Sequence, residues 1–475
     1  MRSRTPSNTT AVLIALSALS TALCLAPDAL AQSPTTFHGV GNVGIAYTDN
    51  MFGSPSNPPA GQPEPVAVWM LDLAPGIRMI HESPRALYTL TYTHPFTFYL
   101  GYPDSTQQSD TAIFTSIFRL TPVDELTLGF AAFRSDTRVA ALRTPPTQAG
   151  GTPQATGQNL MLQANLTQGY THEYTRQWRM TQHSDLGTVI PLRVPTPQTY
   201  RYMATLGGGP VYTMDRDSIG LDGEATYFYT TEVDEGGVYE PSSAQVVVGG
   251  TLRWIHDLSN TWSTELSGGL AGAFRTDPLR GGVWGPIGLG AIRYANEGNE
   301  ASLSVSRTLG PNLVTANTVM ADHVRLEAGL PISREYSLLF RAGAGYSHSR
   351  AIVVENAGFL ATLPFATPES TENARLITTF NTFGADASVG WYPQDFLYFD
   401  LRYQFTKQVG VENQIAPAAT FHRNLVMLNA GIMWPARDVA PVPARQPGRT
   451  DNADRDARLP GATEPGGRGR PAQNN

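Results

Sequence analysis

Cysteine is nearly absent: the chain of 475 residues holds one, Cys24. That residue sits in an export leader. Met1-Arg2-Ser3-Arg4 is basic, an apolar run extends from Ala11 to Leu25, and Ala29-Leu30-Ala31 offers a small-x-small cleavage site before Gln32. Together they read as a secretory signal peptide over residues 1–31. Leu23 stands where a lipoprotein would need a small residue, so lipidation is set aside. The processed chain then has no thiol, and no disulfide holds it together. Long apolar runs are missing as well. Past the leader nothing approaches the ~18 consecutive apolar residues of a membrane helix.

Charged residues make up only 15 %, and Lys407 is the sole lysine. The arginine bias reads as codon usage and carries no functional weight. The tail sets seven arginines against five acids and the leader is net +1, which leaves −10 of the overall −7 for residues 32–434. An acidic body without a basic stripe gives no support for nucleic-acid binding. The nine histidines are scattered, with no two at metal-ligand spacing. No nucleophile, histidine and orienting residue stand out together, as a hydrolase would require. No enzyme, cofactor or metal is expected. Gly207-Gly208-Gly209-Pro210 lacks the lysine and following helix of a phosphate loop, so it reads as a sheet bend or bulge.

Glycine (45), tyrosine (19) and phenylalanine (19) are plentiful. In Phe396–Lys407, Leu397, Phe399, Leu401, Tyr403 and Phe405 fall on one face of an extended strand. Tyr398, Asp400, Arg402, Gln404 and Thr406 fall on the other, because strand side chains alternate with period two. About eighteen such stretches follow one another between residues 39 and 434. Tight turns such as Glu82-Ser83-Pro84-Arg85, Asp215-Arg216-Asp217, Leu258-Ser259-Asn260-Thr261, Ser333-Arg334-Glu335 and Pro393-Gln394-Asp395 join every second pair. Asp49–Pro65, Arg134–Gln158, Thr231–Ala244 and His348–Arg375 are among the longer intervening connections. Short periplasmic turns facing longer extracellular loops, with an even strand count, define a transmembrane up-and-down antiparallel β-barrel with both termini periplasmic. The fold class is all-β, and the location is the outer membrane of a Gram-negative bacterium. A mean hydropathy of −0.20 is no objection. Each strand places only half its residues on lipid. A periplasmic propeller or sandwich also has many short strands. It does not account for the alternating loop lengths, the aromatic faces or the absence of a blade repeat.

The barrel spans residues 32–434, and 435–475, rich in Pro, Gly, Arg and Asp, is a disordered periplasmic tail. Val426, Leu428, Ala430, Ile432 and Trp434 alternate to an aromatic end, like the insertion signal of outer-membrane proteins, although here a tail follows. Tyr88, Phe98, Trp178, Trp262, Trp391 and Trp434 are girdle candidates. The expected partners are outer-membrane lipid, lipopolysaccharide and the barrel assembly machinery.

Charges fall on the opposite, inward face, where the channel lining comprises Asp222, Glu224, Arg253, Glu265, Arg325, Glu327, Arg341, Asp386, Asp400 and Arg402. Symmetric hairpins about Ser259, Arg334 and Gln394 would set Arg253 opposite Glu265, Glu327 opposite Arg341, and Asp386 opposite Arg402. One reading is that such pairs only hold register and keep a lumen wet; the other is a charged lining that selects solutes or eases a polar polymer through.

Val40–Phe52, with Tyr47-Thr48-Asp49-Asn50 closing a strand, resembles the first strand of the barrel porins found with bacterial exopolysaccharide export genes. Leu73-Ala74-Pro75-Gly76-Ile77 and Leu87–Tyr92 resemble their second and third strands. The resemblance covers about the first hundred residues in detail and the remainder in architecture only. It implies an exit porin for a secreted polysaccharide, working with periplasmic polysaccharide-export proteins, and it supplies no catalytic residues. Two other readings stay open: a diffusion porin for small polar solutes, and a structural or surface-display barrel.

Overall fold

Segments with an apolar residue at every second position gather one apolar face only when extended, and their hydrogen bonds must then come from neighbouring strands. The computed structural model carries that solution to closure. It describes residues 35–51, 64–102, 106–136, 160–193, 198–233, 239–275, 283–296, 298–312, 317–333, 337–352, 377–394, 396–411 and 421–434. Residues 1–34 and 435–475, where a leader and a tail are expected, and most of the longer connections lie outside the described residues.

The strands, in chain order, are β1 (Thr35–Thr48), β2 (Val68–Glu82), β3 (Ala86–Thr93), β4 (Phe96–Tyr99), β5 (Gln107–Gln108), β6 (Asp110–Thr121) and β7 (Asp124–Asp136). There follow β8 (Leu160–Glu173), β9 (Trp178–Arg193), β10 (Gln198–Thr213), β11 (Asp217–Val233), β12 (Tyr239–Asp257), β13 (Trp262–Arg275) and β14 (Val283–Asn296). The remainder are β15 (Asn299–Asn312), β16 (Asn317–Ser333), β17 (Leu338–Ile352), β18 (Ile377–Gln394), β19 (Leu397–Val411) and β20 (Phe421–Trp434). Strand β2 pairs with both β3 and β4, while β3 pairs with β6 and β4 with β5. Two barrel staves are thus interrupted, one at His94-Pro95, where proline cannot donate to the ladder, and one at Ser109. The twenty segments make eighteen antiparallel staves. Pairing of β1 with β20, from Gly39↔Trp434 to Thr48↔Leu425, closes the ring. A closed ring has no sheet edge, as hydrocarbon demands. Asp49 clasps that last junction, accepting from the Asn424 backbone N at 2.7 Å and from Asn424 Nδ2 at 2.6 Å.

Burial runs opposite to that of a water-soluble protein. On β19 Leu401 is 50 % exposed and Gln404 only 3 %. Leu428, Leu326, Leu266, Leu252 and Leu221 are likewise exposed, whereas Thr406, Thr226, Thr181 and Ser349 are buried. Two aromatic girdles bound the outward apolar band. At the short-turn end stand the pairs Trp178–Tyr212, Trp262–Tyr294, Trp391–Phe399 and Phe396–Trp434; at the other end stand Tyr47–Trp69, Phe274–Trp284 and Tyr346–Phe383. Of the expected girdle residues, Tyr88 is the exception: it is buried, stacked on His81.

A repeated device sits near these girdles. An aromatic residue and a histidine two positions later both bond one acceptor on the adjoining strand. Tyr92 Oη and His94 Nδ1 reach Asp110 Oδ1 at 2.8 and 2.6 Å, and Tyr170 and His172 reach Asp124 at 2.6 and 2.7 Å. Trp254 Nε1 and His256 Nδ1 reach Asp217 at 2.8 Å each; Tyr346 and His348 reach Asn381 at 2.9 and 2.8 Å. The acceptors have no proton to give when ionised, or present a carbonyl, so each Nδ1 carries the hydrogen. These clasps tie neighbouring staves together where the apolar band ends.

Candidate functional site

The ten residues expected to line a channel lie on the inner face, alternating with outward apolar positions: Asp222 and Glu224 between the exposed Leu221 and Tyr227, Arg253 between Leu252 and Trp254, Arg325 and Glu327 flanking Leu326. Glu265, Arg341, Asp386, Asp400 and Arg402 occupy the same face of β13, β17, β18 and β19.

Their pairing differs from the symmetric-hairpin expectation. Arg253 lies opposite Ser267, Arg341 opposite Gly329, and Arg402 opposite Ser388. Each hairpin is centred one residue further along than the sequence suggested, which moves every partner by two. The cause differs by turn. At β12–β13, Ser259 opens a three-residue loop: its Oγ accepts from the backbone N of Thr261 and of Trp262. At β16–β17 and β18–β19 the chain turns further along still, with Ser333 opposite Leu338 and Gln394 opposite Leu397, and a bulge on the first strand, between Pro331 and Ser333 and between Trp391 and Gln394, gives part of that displacement back.

A two-residue shift preserves the face, so the charges still meet, but diagonally or along one strand. Arg253 Nε donates to Glu265 Oε1 at 2.7 Å, and Arg293 Nη2 of β14 donates to Glu265 Oε2 at 3.0 Å. Glu265 is 5 % exposed and bridges three strands. Arg325 pairs with Glu327, two positions along β16, and Arg402 with Asp400 at 3.8 Å on β19. Asp386 stands over Gly343, where a Cβ would come 3.0 Å from its Oδ1.

Several inner-face groups were invisible in the sequence. Arg293 follows Ile287, Leu289 and Ala291 on a stretch of β14 apolar on both faces, so alternation gave no polarity. His183, on β9, is buried with Nε2 3.5 Å from Glu224 Oε2. It fills the space beside Gly207, where a Cβ would fall 2.5 Å from the ring. The glycine run is indeed a sheet bend: the β10–β11 pairing lapses between Gly208↔Gly223 and Val211↔Gly220 without changing register. Gly208 has φ +149°, and a Cβ on Gly209 would come 1.8 Å from the Leu221 carbonyl. No cluster of His, Cys, Asp or Glu able to hold a metal occurs among the described residues.

Towards the longer connections the inner wall closes over. Ala46, Met51, Val68, Met70, Tyr99 and Leu425 pack together near the β1–β20 junction. Phe228 and Thr226 are buried on β11. The β15–β16 hairpin adds a second layer. The β14–β15 ladder stops at Gly288↔Arg307, whereas β15–β16 pairing runs on to Asn312↔Asn317. Beyond the stop, Leu309 and Met320, from the hairpin's outward face, pack against the inner-face residues Val247, Ala271, Ala273 and Ile287. The hairpin end therefore lies inside the wall.

A closed eighteen-stave antiparallel barrel with an apolar outer band and paired charges on its inner wall is a transmembrane β-barrel of the outer-membrane type. No family model matches the chain, and no curated protein matches its sequence. Solved structures similar to it are also barrels. OccK2 (OpdF) of Pseudomonas aeruginosa, solved in complex with glucuronate, is 10 % identical with a TM-score of 0.43, covering 84 % of this chain and 98 % of its own. OccAB3 of Acinetobacter baumannii is 10 % identical at TM-score 0.43, over 84 % and 99 %. The siderophore receptor PirA of Pseudomonas aeruginosa is 10 % identical at 0.40, over 84 % and 81 %. Likeness at this level carries no argument about cargo, and none of it adds to the export resemblance.

Proposed function

We propose that the barrel is a diffusion channel for small polar solutes, with short turns and termini periplasmic and longer connections extracellular. The observation that carries this reading is the narrowing at the long-connection end. There the inner face is covered by packed side chains on the β1–β20 side and by the inturned β15–β16 hairpin across the ring. Eighteen staves alone would leave a porin-size bore. A polymer exit needs that bore open along its length; a small solute passes a narrowing, and Arg253–Glu265–Arg293, Arg325–Glu327 and Arg402–Asp400 keep the wider stretch towards the short turns polar. The polysaccharide-exit reading rests on the resemblance of the first staves alone.

Reconstituted protein decides between them. In a liposome-swelling series, mono- and disaccharides should enter readily and longer oligosaccharides should not. In cells, deleting the gene should lower uptake of small solutes and leave surface polysaccharide unchanged; the opposite pair of results would restore the export reading.

A further inference from the structure

The incomplete β14–β15 ladder has a cause written in both strands. Continued past Gly288↔Arg307, the register would set Gly285 opposite Gly310, and each is followed by proline, Pro286 and Pro311. Proline lacks the N–H that a ladder needs, and glycine gives up strand preference. Two Gly-Pro steps that would face each other across one seam unzip it. The result is a stretch of wall where two neighbouring described strands run on without pairing to each other, and unpaired backbone facing hydrocarbon is strongly disfavoured. A barrel built only to stand in lipid gains nothing from it.

Above its foot the seam is lined for hydrocarbon. Ile287, Leu309 and Met320 meet there, and Met320 Cε lies 2.7 Å from where Gly285 would carry a Cβ, so the missing side chain is the methionine's seat. Methionine fills irregular space and is readily displaced. On the hairpin's other face nothing lies within 4 Å of where Gly310 would carry a Cβ. At its foot, Arg307 and Asp322 form a two-point ion pair, Nε–Oδ1 at 2.5 Å and Nη2–Oδ2 at 2.9 Å, at the last rung where β14 and β15 still pair. Trp284 is ten residues above Tyr294 on the same face of β14. At ~3.3 Å per residue and ~40° tilt this is ~25 Å, the height of an apolar band, so the seam opens within its upper part.

We propose that this seam is a lateral portal through which an amphipathic molecule, a polar head on a hydrocarbon tail, passes between the lumen and the outer leaflet, with the inturned β15–β16 hairpin as its shutter. The polar head keeps to the charged wall while the tail slides between Ile287 and Met320. This is a second route beside diffusion of small solutes through the bore.

The test uses the thiol-free mature chain. Gly285→Cys with Met320→Cys allows a thiol-cleavable methanethiosulfonate crosslinker to fix the hairpin to the wall. The probe is a fluorescent lysophospholipid, loaded on the short-turn side of reconstituted vesicles and followed to the opposite leaflet by its quenching. The uncrosslinked variant should speed transfer at least tenfold over protein-free vesicles. Crosslinking should return it to the protein-free rate, and reduction should restore it, with ion conductance unchanged throughout. Equal transfer with and without the crosslink, or no rise over protein-free vesicles, overturns the portal. Joint loss of transfer and ion conductance overturns it too, because the hairpin would then gate the bore alone.

Discussion

Replacing Glu265 by glutamine removes the one negative charge that Arg253 and Arg293 share across three strands. The carboxylate is almost fully buried and Arg253 largely so, whereas the Arg293 side chain is 39 % exposed. Breaking a buried pair by removing one partner costs about 3–5 kcal/mol, and an exposed pair about 0–1. With one arm of each kind, and a glutamine oxygen still able to accept one bond, the expected loss is about 3 kcal/mol. The double variant Arg253→Gln with Glu265→Gln removes the stranded cation and should cost less than the two single changes together, by about 1–3 kcal/mol. Urea unfolding in lipid vesicles, followed by tryptophan fluorescence, reads both. The uncovered arginines should also shift the reversal potential under a salt gradient towards anions. Stability of the single variant within about 0.5 kcal/mol of the parent, with selectivity unchanged, would refute the bridge as a buried junction.

Leu428→Arg, in the middle of the outward band, should destabilise the barrel by about 2–4 kcal/mol and reduce heat-modifiable protein, whereas charge at Trp434 should cost less because it lies at the interface. Gly209→Ala should block assembly, since its Cβ would strike the Leu221 carbonyl, while Gly268→Ala, with nothing within 4 Å, should be neutral in the same assay. A cysteine at Tyr102, by a longer connection, should react with an impermeant thiol reagent on intact cells, and one at Ser259 should not; the reverse pattern would invert the orientation. Replacing Arg253, Arg325, Arg341 and Arg402 together by glutamine should shift ion selectivity towards cations at normal abundance, because the field of the whole bore changes.

The staves were legible because lipid outside and water inside impose strict period-two polarity, which Phe396–Lys407 displays in full. Register was not. Whether Ser259 opens its turn or centres it depends on one side-chain bond, and whether a bulge takes up Ile332 or Tyr392 depends on strand twist near the turn. A slip of two residues leaves the face unchanged, so the inner-wall residues could be named while their partners were misassigned. The histidines looked scattered because the motif that organises them is split across strands: Trp254-x-His256 means little until Asp217 lies beside it. The β14–β15 seam was hidden for a related reason. Gly285-Pro286 and Gly310-Pro311 are ordinary turn-like dipeptides until the fold sets them opposite each other.

Ring closure has a consequence in time. The strand that completes β1 is β20, and the Asp49–Asn424 clasp joins positions 375 residues apart in the chain. During synthesis and export, β1 offers an unpaired edge from the moment it emerges until the final stave arrives. No disulfide can hold an intermediate in the meantime, for the mature strands contain no cysteine. Such a long-range pairing is slow to form, and an open edge invites the wrong partner. The ring therefore cannot close before the last of its eighteen staves is present, and its folding is completed by a single late pairing at one junction.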